Sequence, residues 1–164
     1  MYFSSVAYNT TLQTLKGDLK QSMLKKQNVE KTAIKLILST VKNNEIDGAK
    51  QDEFALFKTF LKMIKQRKTS SEEYAKQNRS DLAEVEIAEI QVIEKYLNEL
   101  PIATNEQVKA SLTKFLTELK AQEPDLKVNG VFKLILQELA QSWKTSPDLI
   151  KPLVPQVFKD VYSK

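Results

Sequence analysis

The chain has 164 residues, 41% of them hydrophobic and 28% charged, with 25 basic against 21 acidic side chains. That composition suits one domain or two small ones and is too apolar for a disordered chain. Cysteine and histidine are both absent, which removes disulfides, thiolate metal sites, a cysteine nucleophile and the side chain that most often acts as general base or metal ligand near neutral pH.

The charge is unevenly distributed. Residues 1–50 hold eight basic and four acidic side chains, 51–80 seven and four, 81–100 one and six, and 101–164 nine and seven. A basic first half can favour a polyanionic partner, although a net charge of +4 is modest and better suits ordinary solvated helix faces. No run approaches the ~18 apolar residues of a membrane span. The opening MYFSSVAYNTTLQTLKG has no acid, several hydroxyls, no arginine and one lysine. It reads either as the remnant of an organellar leader or as a frayed terminus, and residues 1–10 are expected to be flexible.

A first helix is predicted from Thr10 or Thr11 to Gln27, with Leu12, Leu15, Leu19 and Met23 on one stripe. Gln27-Asn28 forms the turn. The second helix, Val29 to Asp47, turns Ala33, Ile34, Ile37, Leu38, Val41 and Ile46 inward, and Gly48 suits the left-handed position that closes a helix. The third starts near Gln51-Asp52, where acids complement the helix dipole. Its apolar stripe is Phe54, Phe57, Leu61 and Ile64 with Phe60 alongside, and Lys58, Lys62 and Lys65 line another face. It continues to about Gln77, although Ser70 with Glu73 also matches a capping box.

Asn78-Arg79-Ser80-Asp81 is the next turn, with Asp81 and Glu84 spaced to cap a fourth helix reciprocally. That helix carries Leu82, Ile87, Ile90, Ile93, Tyr96, Leu97 and Leu100 inward. Its acids, Glu84, Glu86, Glu89 and Glu94, fit a solvated or salt-bridged face better than a metal or acid/base pair, since no histidine or second acidic cluster joins them. Pro101-Ile102-Ala103 breaks the pattern and marks a domain boundary. A fifth helix follows Thr104, which makes a capping box with Gln107, and buries Val108, Leu112, Phe115, Leu116 and Leu119. A sixth is predicted from Asn129 to Trp143, and a short turn then leads to a last helix from Pro152 to Ser163. The fold class is therefore all-α: a four-helix bundle over 11–100, then a small three-helix domain over 104–164. No cofactor or metal is expected.

The stretches KTAIKLILSTVKNNEID, IKQRKTSSEEY and NRSDLAEVEIAEIQVIEKYLNELP resemble the GatB/YqeY family. The last combines an Arg-Ser-Asp-Leu-Ala turn, an acid-rich helix and a Tyr-Leu pair before a proline. The resemblance implies a helical bundle followed by a domain similar to the tail of the amidotransferase B subunit. That subunit serves glutamine-dependent conversion of misacylated tRNA, and its tail contacts tRNA while the chemistry is done elsewhere. It also implies the family label of carbon–nitrogen ligase with glutamine as amide donor, and a mitochondrial location for eukaryotic members against a cytoplasmic one for bacterial members.

The partners implied are tRNA and amidotransferase subunits, and the candidate nucleic-acid contacts are Lys62, Lys65, Arg67, Lys68 and Arg79. The last third departs from the family: Asn129-Gly130 keeps one glycine of its opening, and Ser146-Pro147-Asp148-Leu149 stands where a Gly-Arg-Ala-Asp turn is usual. With no cysteine, no Gly-rich phosphate loop and no serine-amidase stretch, self-sufficient amidotransferase activity is not expected. The alternative to a tRNA-linked accessory protein is a helical protein–protein interaction module that docks through the acidic fourth helix or the proline-rich tail.

Overall fold

A computed structural model describes residues 3–163. Every regular element among them is helical, and the chain divides between Leu100 and Pro101 into two compact units. The first holds α1 (Val6–Leu24), α2 (Asn28–Ile46), α3 (Glu53–Lys76) and α4 (Ser80–Glu99). The second holds α5 (Asn105–Gln122), α6 (Val128–Phe132), α7 (Gln137–Ser142), α8 (Pro147–Ile150), a 3-10 turn at Lys151–Leu153 and α9 (Val154–Tyr162).

α1 begins earlier than its leucine spacing implies. Ser5 accepts from the backbone N–H of Tyr8 as N-cap, and the same hydroxyl donates to Glu53 at 2.8 Å. The backbone N–H of Ser5 also bonds Gln51 O at 2.8 Å. These bonds tie Ser5, within the segment expected to be flexible, to Gln51 and to Glu53 at the start of α3. The buried row of α1 is Tyr8, Leu15 and Ser22 at seven-residue spacing, and Met23 is exposed. The turn after it uses Lys26 in the left-handed region, at φ 55, rather than Gln27-Asn28.

α2 buries Ala33, Ile34, Ile37 and Val41 as the pattern implies, but Ile46 is exposed because it falls off that row in the last turn. Gly48 follows at φ 83, a conformation that strains any residue with a β-carbon. α3 runs unbroken through Ser70, capped at its start by Asp52, which accepts from Ala55 N at 2.8 Å. Its buried row is Leu56, Phe60, Met63 and Ile64, one position round from the predicted stripe, so that Leu61 is exposed. α4 starts at Ser80 without a side-chain cap, because Asp81 turns to Arg79 instead of forming the predicted box with Glu84. It buries Ala83, Glu89, Ile90, Ile93 and Tyr96 and exposes Ile87.

Two phenols lock this unit. Tyr8 donates to Glu45 Oε1 across α1 and α2, and Tyr96 donates to Asp18 Oδ2 across α4 and α1, each at 2.6 Å. Burial first, then the hydrogen bond to a carboxylate and that carboxylate's charge, push both phenols above the ordinary tyrosine range.

In the second unit the Thr104–Gln107 capping box forms as the sequence implies. The core is Val108, Leu112 and Leu116 of α5 against Val131, Ile135, Ala140, Ile150, Val154 and Val157. The predicted sixth helix is broken into α6 and α7. Its buried residues Val131, Ile135 and Ala140 are four and then five apart, and the second interval adds a residue to the helical repeat. Leu136 takes up that residue in extended backbone, at ψ 161, and restarts the helix.

Candidate functional site

Five cations are the sequence-derived contacts, and the fold separates them. α3 presents its apolar row to the bundle, so residues half a turn away face outward. Lys58, Lys62 and Lys65 recur at intervals of four and three on that outward face, with Lys68 three further on, and all four are exposed. Lys62, Lys65 and Lys68 make no hydrogen bond or ion pair among the described residues through their ammonium groups.

Arg67 is placed differently. It falls three residues beyond Ile64 and four beyond Met63, on the inward side of α3, where its Nε donates to Glu89 Oε2 at 3.0 Å and its Nη1 reaches Met63 O at 3.4 Å. The two side chains of this ion pair are only 12% and 11% exposed. Of the two settings the sequence left open for these acids, solvated or salt-bridged, Glu89 takes the salt-bridged one. Its position four residues before Ile93 and seven before Tyr96 is the signal in the sequence that places it on the buried side of α4. Glu86 lies on the same side of α4, and burial, with the charge of Glu89 behind it, raises its carboxyl against the smaller lowering effect of Arg67.

Arg79 stands apart at the α3–α4 turn. Its Nε and Nη2 grip both oxygens of Asp81 at 3.1 Å, and that grip is the first cause of a carboxyl held below the usual range. The pair is well exposed, at 55% and 66%, so solvent screens it and it contributes little to stability. Three lysines thus share one open face, one arginine is committed to the core and one is partly neutralised on the surface. Among the described residues no three carboxylates gather as a metal ion requires, and none of the helices is long and apolar enough to cross a membrane.

A family model described as "Yqey-like protein" matches residues 12–145, which include all of α1's buried row from Leu15 onward and the whole α3–α4 pair. The chain belongs to the Yqey-like family. Within reach of this Yqey-like chain are proteins named "Altered inheritance of mitochondria protein 41, mitochondrial" in several yeasts. That of Clavispora lusitaniae is 49% identical over 158 residues, 96% of this chain and 93% of the relative. That of Meyerozyma guilliermondii is 49% identical over 161 residues, 98% and 85% of the two chains. That of Candida glabrata is 42% identical over 164 residues, 98% and 90%. The expected mitochondrial location agrees with the names these Yqey-like relatives carry.

Proposed function

We propose that this chain is a non-catalytic mitochondrial accessory protein that binds tRNA through the lysine face of α3, in the service of glutamine-dependent tRNA amidation. One observation carries the reading: Lys62 and Lys65 are exposed on the side of α3 opposite its buried row, Lys68 is exposed on the flank beside them, and none of the three has an acidic partner among the described residues. Lysines held on one rigid helix without internal neutralisation suit a phosphate backbone, which rewards each contact through counterion release. The likeness of the α4 sequence to the amidotransferase-linked family supplies the pathway, and the names of the relatives supply the compartment.

The test is fluorescence anisotropy with deacylated and misacylated tRNA across a salt series. Binding is expected to weaken steeply between about 50 and 200 mM salt, and the variant with Lys62, Lys65 and Lys68 all changed to Gln should flatten the slope by about 2 to 3. No binding at about 50 mM salt, or an unchanged slope in the variant, sinks the proposal.

A second reading, a protein–protein module, draws on Val85 and Ile87, which are 46% and 48% exposed on the acidic helix α4. A photo-crosslinker placed at position 87 and another at position 65 separate the two in mitochondria. RNA captured from 65 favours the first reading, and a single protein captured from 87 favours the second.

A further inference from the structure

At one end of the first unit, where α1 starts, α2 ends and α3 starts, the helices leave a cleft of about 220 Å³. Val41, Ala49, Ala55 and Leu56 form its apolar side. Its polar side is two hydrogen-bonded pairs. Tyr8 donates to Glu45 Oε1 at 2.6 Å, and Asn44 Nδ2 donates to Thr59 Oγ1 at 3.0 Å, whose own hydroxyl passes on to Ala55 O. The hydroxyl donors are therefore spent, while two acceptors are not: Glu45 Oε2 and Asn44 Oδ1 receive no hydrogen bond among the described residues.

Lys50 and Lys58 line the same cleft. Lys50 is exposed and its ammonium has no partner among the described residues.

These groups ask for a ligand of defined chemistry. A carboxylate oxygen beside an amide oxygen suits a cation with several N–H donors, and a nearby lysine suits an anion. An apolar wall between them suits a short hydrocarbon. We propose that this cleft binds a small aliphatic α-amino acid. Its ammonium is held by Glu45 and Asn44, its carboxylate by Lys50, and its side chain lies on Val41 and Leu56.

The size agrees, since clefts for drug-sized molecules run from roughly 300 to 1,000 Å³ and this one is smaller. Either charge alone leaves the site mismatched: an alkylamine sets a cation near lysine, and a fatty carboxylate sets an anion near Glu45. The inference is independent of tRNA binding, because Lys62, Lys65 and Lys68 do not line the cleft.

The experiment is a nuclear magnetic resonance titration of the full chain with L-leucine, isocaproate and isoamylamine, the last two lacking the amine and the carboxylate in turn. Leucine should give saturable shifts at Tyr8, Glu45 and Lys50, and each analogue should bind at least about tenfold more weakly. Glu45→Gln keeps an acceptor for Tyr8 and removes the charge, so it should weaken leucine about tenfold and leave isocaproate as strong or stronger. Lys50→Gln, at an exposed position, should weaken leucine and isocaproate but not isoamylamine. Equal responses to all three probes, no saturation by leucine at about 50 mM, or leucine binding unchanged in Lys50→Gln would overturn the proposal.

Discussion

Arg67 on α3 and Glu89 on α4 form an ion pair at 3.0 Å with only 12% and 11% of the two side chains exposed. The bond joins the two helices that carry most of the charge contrast in the chain, the basic α3 and the acidic α4. Each ion lost most of its hydration on folding, so the pair holds the helices in register more than it adds net stability.

Breaking the pair from one side is therefore costly. Glu89→Leu strands the guanidinium and should lower the unfolding free energy by about 3 kcal/mol, the low end for buried pairs because both groups keep some contact with solvent. The double variant Arg67→Met with Glu89→Leu should recover most of that loss. Urea unfolding followed by circular dichroism gives all three values, and a single-variant loss under about 1 kcal/mol would show that water already screens the pair.

The phenols of Tyr8 and Tyr96 make stability fall at alkaline pH. Each is raised in the folded chain by burial and by its bond to Glu45 or Asp18. A raised acid stabilises the fold fully below its unfolded value, near about 10 for tyrosine, and loses that contribution as pH climbs toward the folded value. Unfolding free energy should thus drop above about pH 10 and drop less in Tyr8→Phe and Tyr96→Phe, each of which should itself cost about 1 kcal/mol at neutral pH. An ultraviolet pH titration checks the order: Tyr8 and Tyr96 should ionise later than the same residues in urea.

How much of this was readable beforehand depended on what each residue's type announces. The order of the first five helices was legible because Gly48, Pro101 and the Thr104–Gln107 box punctuate the chain by local chemistry. Phase was not, because α3 carries two adjacent apolar rows, and only packing decided that Leu56, Phe60 and Met63 go in while Leu61 stays out. Arg67 lies toward the buried row and Glu89 on it, and their charges disguised them as surface residues. The open lysines at 62, 65 and 68 were legible because they interrupt no apolar row. The cleft by Tyr8 was invisible, since its walls come from three helices and the tyrosine stood in a segment without obvious periodicity.

Two helix ends store strain that glycine would relieve. Lys26 and Lys144 sit at φ 55 and 57, where a β-carbon crowds the following carbonyl. Lys26→Gly and Lys144→Gly should each stabilise the fold by about 0.5 to 1 kcal/mol, the relief of strain exceeding the entropy that glycine adds to the unfolded chain. Thermal unfolding measures it. Asn78, at φ 59, is the control: asparagine tolerates this region, so Asn78→Gly should gain less.

Gly130 tests packing against helix propensity within the second unit. A β-carbon there would come within 2.6 Å of Leu126 Cδ1 and 3.4 Å of its Cγ. Leu126 packs on the core of this unit, so it must move for the methyl to fit. Overpacking of this kind costs about 1 to 3 kcal/mol, against a propensity gain of at most about 1 kcal/mol in a helix as short as α6. Gly130→Ala should therefore destabilise by about 1 kcal/mol. In a Leu126→Ala background the obstruction is gone, and the same substitution should become neutral or stabilising. A double-mutant cycle by chemical denaturation reads the coupling directly. Additive effects would mean that Leu126 swings away at no cost and that the glycine is not required by its neighbour.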